Sequence, residues 1–282
     1  MKNVKRFTAI ALLFAMILTG CGESNNASSK NPASSGSNAA GTDNSLQYIL
    51  DNGELILGLD ASFPPMGYTD DDQNIVGFDI DVAKEVCKRM DIKLKLKSID
   101  WDSKELELDT KNIDCIWNGL SYSKDRDEAM TLSEPYMTNR QVIVTLADSD
   151  IKSEADLKGK VVALQSGSTA SEALDKKAEL KDSLKDEILI DDNVKAMMDL
   201  KINGSDAVIM DEVVARYYTE KEPDTYKVLD DSMADEQYVI GFRKGENLLC
   251  QEVEKCLKAM KADGTLESIS KTWFGEDLTT IK

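Results

Sequence analysis

Asp60 and Asp211 each follow a short apolar run, Leu55–Leu59 and Ala207–Met210, so each sets a carboxylate at the end of an expected strand. Arg126 lies in the charged run Lys124–Glu128. Gly167-Ser168-Thr169 opens a helical stretch, where unpaired N–H groups favour an anion. Phe63 precedes two prolines, and Trp101 stands between Asp100 and Asp102, which makes it the more exposed of the two aromatic candidates. Each of these residues has a plainer reading: Arg126 as a surface arginine, Asp211 as the cap of a helix over Glu212–Tyr218, Asp60 as the cap of a turn, and both rings as core. The 282 residues include no histidine. Ser-His-Asp triads, Cys-His dyads and histidine metal ligands are therefore absent.

One further pattern misleads. Asp70-Asp71-Asp72-Gln73-Asn74 places acids and amides like the opening of a calcium loop, with Asp81 where that loop would end. Ile75 occupies the position that needs glycine, and Asp81 is too short for the bidentate glutamate, so a polar turn is expected instead. Cys87, Cys115, Cys250 and Cys256 form no C-x-x-C pair. Cys87 and Cys250 fit apolar helix faces, which favours buried thiols over disulfides, although the compartment argued below permits either.

Strand-like and helix-like segments alternate, which argues an α/β fold. Strands are expected at Leu55–Leu59, Leu94–Ile99, Ile113–Trp117, Gln141–Leu146, Val161–Leu164, Ile188–Ile190, Ala207–Met210 and Tyr238–Phe242. Helices are expected from Asp79 as cap to Met90, over Ser168–Lys177, Lys195–Ile202 and Glu212–Tyr218, and over Leu248–Ala262 up to the stop at Asp263-Gly264. No internal repeat is visible.

The start of the chain says where the protein works. Lys2, Lys5 and Arg6 precede the apolar run Phe7–Leu18, broken only by Thr8. Twelve helical residues span about 18 Å, short of a hydrocarbon core of roughly 30 Å, so residues 1–20 read as a signal peptide. Leu18-Thr19-Gly20-Cys21 resembles the lipobox of bacterial lipoproteins, which implies an acylated Cys21 as the new N-terminus. Residues 21–45, almost wholly Ser, Asn, Ala and Gly, cannot bury a core and read as a disordered tether. The formal net charge is −18, which disfavours nucleic acid and anionic membrane surfaces as electrostatic partners.

Several motifs in order carry a wider resemblance: Gly58–Pro65, Gly77–Ala83, Trp101-Asp102, Ile113–Ser121 with Ser123 and Arg126, and Ser133-Glu134-Pro135-Tyr136. Leu157–Val161, Gly167-Ser168-Thr169, Gly204–Asp211, Tyr238–Phe242 and Trp273-Phe274-Gly275 follow. From about Leu46 to Gly275 the set resembles the polar amino-acid receptors of ABC importers, the bacterial solute-binding proteins of family 3. The resemblance implies a two-lobed, periplasmic-binding-protein-like (type II) α/β fold with the ligand in the cleft. Lobe 1 would be residues 46–140 plus 236–282 and lobe 2 residues 141–235, with crossovers near Asn139–Val144 and Glu236–Gly241. It also implies a lipid-anchored monomer on the outer face of the cell membrane that needs no cofactor or metal and hands a free amino acid to a transmembrane permease.

The family's site maps onto this chain residue by residue. Arg126, with the N–H groups of Ser121 and Thr169, would hold the α-carboxylate, because a forked cation matches that anion better than an ammonium does. Asp211, the Gly119 carbonyl and the Ser121 hydroxyl would hold the α-ammonium. Asp60, Phe63 and Trp101 would face the ligand side chain, and Asn118, Gly167 and Ser168 complete the expected lining. A carboxylate at Asp60 repels acidic side chains, so glutamine, histidine, lysine, arginine or cystine are the expected ligands. Two other functions fit the scaffold: an enzyme resembling cyclohexadienyl dehydratase, disfavoured by the absence of a histidine acid, and a ligand-sensing domain, disfavoured because the chain ends soon after Gly275.

Overall fold

A computed structural model describes residues 43–282 of the chain. The signal peptide, Cys21 and nearly all of the tether lie outside the described residues. The folded body begins slightly before the expected boundary at residue 46. Asp43 Oδ2 accepts a hydrogen bond from the Leu248 amide at 2.7 Å, and Ser45 Oγ accepts one from the Leu249 amide at 3.1 Å. These two residues, expected in the tether, thus satisfy the free amides at the start of a distant helix.

Helix α1 (Ser45–Asn52) leads into β1 (Glu54–Leu59). A small antiparallel sheet follows, of β2 (Ser62–Phe63), β3 (Gly67–Thr69) and β4 (Ile75–Val76). The suspected calcium loop is the turn between β3 and β4, where Asp70 Oδ1 accepts from the amides of Asp72 and Asn74. Helix α2 (Phe78–Arg89) buries Phe78, Ile80, Val82, Ala83, Val86 and Cys87, the spacing of an amphipathic helix. Its cap is Gly77, not Asp79; Asp79 lies in the first turn and points into the core. Strand β5 (Lys93–Ser98), helix α3 (Lys104–Asp109), strand β6 (Cys115–Ser121), helix α4 (Lys124–Ala129) and strand β7 (Met130–Leu132) complete the first pass through lobe 1.

Strand β8 (Met137–Leu146) then carries the chain into the part of the sheet that the sequence expects as lobe 2. That lobe comprises β9 (Val161–Gln165), α5 (Thr169–Asp175), α6 (Ala178–Ser183), β10 (Asp186–Ile190), α7 (Asn193–Lys201), β11 (Ala207–Asp211) and α8 (Glu212–Lys221). The expected helix over Ser168–Lys177 is α5, which stops at Asp175; Lys177, at φ −108°, ψ 59°, has left helical backbone and precedes α6, a helix the sequence did not suggest. Strand β12 (Tyr226–Arg243) returns to lobe 1, which closes with α9 (Asn247–Ala262) and α10 (Thr265–Phe274).

All but the small sheet forms one path, β10-β9-β11-β8-β12-β6-β1-β5, with β7 against β12. Parallel β1-β5 and β1-β6 pairs make one half, and parallel β9-β10 and β9-β11 pairs the other. The antiparallel strands β8 and β12 span both, paired from Tyr226↔Leu146 to Tyr238↔Met137 with register shifts between Val228 and Ala234. Helices cover both faces, so strands such as β6 and β11 are buried on each side and read as continuous apolar runs. Period-two alternation sorts them: Ala207 and Ile209 pack under α5, while Val208 and Met210 join the larger core on the opposite face. Cys87, Cys115, Cys250 and Cys256 are buried free thiols. Among the described residues no helix is long and apolar enough to cross a membrane.

Candidate functional site

Sheet register assembles most of the site. Residues opposite one another on paired strands share a face, as do residues two apart on one strand. Ser121 opposes Tyr238, Glu236 opposes Asn139, and Gln141 opposes both Ala234 and Asp211. Ser121, Tyr238, Glu236, Asn139, Gln141 and Asp211 therefore project from one face where the two lobes meet. Asp211 Oδ1 accepts from Asn139 Nδ2 at 2.7 Å and Tyr238 Oη at 2.9 Å. Glu236 Oε2 accepts from Ser121 Oγ at 2.6 Å, Gln141 Nε2 at 3.0 Å and Asn139 Nδ2 at 3.1 Å. Burial, and then the Glu236 charge, push the Asp211 carboxyl well above the usual carboxylate range.

Arg126 is not a surface arginine. Its run forms α4, capped by Ser123, and its guanidinium turns inward at 5% exposure. Nη1 donates to the Ser121 carbonyl at 2.7 Å, and Nη2 reaches across to the Gly167 carbonyl of lobe 2 at 3.2 Å. The same carbonyl accepts from Lys104 Nζ at 2.9 Å. Burial, with the Arg126 charge second, lowers the Lys104 ammonium to about 8. Two buried cations thus converge on Gly167, whose φ of 67° lies in the left-handed region; a Cβ there would come within 2.8 Å of the Asp102 side chain. Ser168 and Thr169 are buried beside it, and the Ser168 hydroxyl donates to the Gln165 carbonyl rather than capping α5.

The far end of the site is built on Asp60. Its Oδ1 accepts from the Ser62 amide at 2.9 Å, the turn-capping contact, while Oδ2 accepts from Gln165 Nε2 of lobe 2 at 2.7 Å. The turn-capping reading of Asp60 therefore holds for one oxygen, while the other is tied to Gln165. Burial raises this carboxyl to about 6, against the Gln165 hydrogen bond. Gln165 Oε1 in turn accepts from Asn193 Nδ2 at 3.0 Å. Asn118 commits its amide to backbone, accepting from the Asp60 N–H and donating to the Gly67 carbonyl, so it fixes Asp60 in place.

Gly119 has φ 59°, and its N–H donates to Asp79 Oδ2 at 2.8 Å. Phe63 and Trp101 are both buried, at 5% and 7% exposure, so Trp101 is the more open ring only by a narrow margin and both sit largely in the core. Trp101 packs with Leu108, Ile113 and Leu120 and carries the Lys104 ammonium 5.2 Å from its ring centre.

The structure thus groups Arg126, Gly167, Ser121, Glu236 and Asp211 through shared hydrogen bonds and links Asp60 to lobe 2. Sequence reasoning missed Lys104, Asn139, Gln141, Gln165, Asn193 and Glu236. No sequence signal pointed to them, because each depends on register and cross-strand packing.

Residues 55–276 match the model of the family described as bacterial extracellular solute-binding proteins, family 3. The chain is 30% identical over 236 residues to the L-cystine-binding protein TcyJ of Escherichia coli strain K12, covering 83% of this chain and 87% of that protein. It is 32% identical over 279 residues to the L-cystine-binding protein TcyA of Bacillus subtilis strain 168, covering 96% and 98%. Among solved structures, a substrate-binding protein of an ABC uptake transporter from Streptococcus pneumoniae with bound histidine superposes with a TM-score of 0.81 at 34% identity, covering 85% of this chain and 99% of that one.

Proposed function

We propose a function for a chain that belongs to the bacterial extracellular solute-binding proteins, family 3: it captures a free amino acid outside the cell and delivers it to an ABC importer permease. What supports this reading above all is the burial of opposite charges from the two lobes, Arg126 at 5% and Asp211 at 6% exposure, around one interlobe site. Arg126 suits an α-carboxylate and Asp211 an α-ammonium. Asp60 and Gln165 then face the side chain, together with Phe63 and Trp101. A carboxylate there disfavours glutamate and aspartate and favours glutamine, histidine, lysine, arginine or cystine. The lobes, residues 46–140 plus 236–282 and 141–235, close about β8 and β12, because only the closed form lets both contact the ligand. The protein works as a monomer without cofactor, does no covalent chemistry, and is held at the membrane by a lipid on Cys21.

A thermal-shift screen of the common amino acids and cystine tests the reading. A ligand at 100 times its dissociation constant adds roughly 2.7 kcal/mol to stability. No stabilising amino acid, together with turnover of arogenate or prephenate, would replace capture by catalysis.

A further inference from the structure

The floor of the site, formed by β8, β12 and the end of β11, holds more acceptors than donors. Asn139 Nδ2 lies between two carboxylates, 2.7 Å from Asp211 Oδ1 and 3.1 Å from Glu236 Oε2. Gln141 likewise turns its Nε2 to Glu236 at 3.0 Å and to Thr169 Oγ at 3.4 Å. These contacts fix the orientation of both amides. Their oxygens, Asn139 Oδ1 and Gln141 Oε1, are left buried with no protein donor, on side chains only 5% and 0% exposed. Buried acceptors without donors are costly, and so are two neighbouring carboxylates in a protein interior. The nearby donors do not relieve the excess. The Ser121 hydroxyl spends its proton on Glu236, the Tyr238 hydroxyl spends its own on Asp211, and Arg126 is directed to the carbonyls of Ser121 and Gly167.

What this patch lacks is a compact cation with several N–H donors. An ammonium group carries three such donors and no acceptor. We propose that Glu236 is the second carboxylate of the ammonium site, so that the ligand's amine is held between Asp211 and Glu236 with the orphan amide oxygens of Asn139 and Gln141 beside it. The inference rests on the amino-acid reading above and deepens it. It makes a residue of the crossover strand β12 a determinant of specificity. The recognised group becomes a primary ammonium met by two acids, and a ligand that keeps its carboxylate and side chain but lacks the amine loses most of its affinity. Because Glu236 opposes Asn139 across the strands that join the lobes, ammonium binding also tightens the segment about which they close.

The test is calorimetry on the wild type and on Glu236→Gln, which keeps size and removes charge, with L-arginine, L-histidine, L-glutamine and L-cystine as probes. Any probe that binds is titrated beside its analogue with hydrogen in place of the α-amino group. We expect Glu236→Gln to weaken the amino acid at least tenfold and to leave the des-amino analogue unchanged, so that discrimination for the amine falls. Circular dichroism and the melting temperature establish that the variant is folded, and Glu236→Asp should restore part of the discrimination. Equal affinity of wild type and Glu236→Gln for the amino acid overturns the role of Glu236 while capture stands. An equal loss for both ligands assigns Glu236 to structure only and overturns it as well. Wild type that binds none of the four probes, and no other amino acid in the thermal screen, removes the capture reading and the Glu236 role together.

Discussion

Arg126 turns from an ordinary member of a charged run into a buried cation of the candidate site through one turn of helix. Ser123 caps α4 and the helix directs the guanidinium inward, where burial is tolerable because the Ser121 and Gly167 carbonyls accept from it. Arg126→Ala should leave the fold intact and weaken amino-acid binding at least a hundredfold, on the order of 2.7 kcal/mol. Calorimetry beside a circular dichroism control reads this, and retained affinity would move the carboxylate site elsewhere. Asp60 makes a pH-dependent prediction. With its carboxyl raised to about 6, mainly by burial, it is ionised above that pH and neutral below it. The affinity for an amino acid with a cationic side chain should therefore fall as the pH drops through about 6, more steeply than for glutamine. Asp60→Ala should abolish the difference. A flat profile for lysine and arginine in the wild type would detach Asp60 from the side-chain pocket.

Strand β6 shows how an element constrains its neighbours. It ends in Asn118-Gly119-Leu120-Ser121, and Gly119 takes a left-handed φ of 59° so that its N–H meets Asp79. A Cβ at Gly119 would lie 2.6 Å from the Phe63 ring and 3.2 Å from that of Tyr238. Gly119→Ala should thus combine overpacking with backbone strain and cost about 1–3 kcal/mol. A lowered melting temperature together with weaker ligand binding is expected; an unchanged melting temperature would mean that Phe63 yields freely.

At this scale legibility differed sharply between elements. Strands β1, β5, β9 and β11 and helices α2 and α9 carry clean apolar patterns, and their expected positions fall within a few residues of the observed ones. Strand β12 was legible only from Tyr238. Its first half, with Asp230, Asp231, Ser232, Asp235 and Glu236, looks like a loop because it is rich in polar residues that lie partly exposed. Helices α3 and α4 are six residues each, too short for a period to emerge. The site was legible where motifs could be matched to a family. It was illegible where a residue gains its meaning from a partner across the cleft, as Gln165 does from Asp60.

For the molecule as a whole, the short apolar run ending at Leu18-Thr19-Gly20-Cys21 and the Ser/Asn-rich stretch after it lead to a definite expectation. Intact-mass analysis of membrane-extracted protein should show a diacylglycerol adduct on Cys21; a product cleaved elsewhere without lipid would end that proposal. The way β8 and β12 thread the two lobes also sets an order of assembly. In the proposed division lobe 2 would be one uninterrupted stretch of chain, whereas lobe 1 would bring together segments from both ends; Ser121 and its partner Glu236, for instance, are 115 residues apart. Loop-closure entropy penalises such long-range pairing, so the contiguous lobe should consolidate first although it is synthesised second. As the chain is synthesised, the N-terminal strands emerge before β12, α9 and α10 exist to cover them, and the edge of β6 waits unpaired, the kind of edge that invites aggregation. In pulse-labelled hydrogen exchange the amides of β9 and β11 should gain protection before those of β1 and β6. Simultaneous protection of all four would mean that the lobes fold as a single cooperative unit, and that a nascent chain has no safe resting point before its last helix is out.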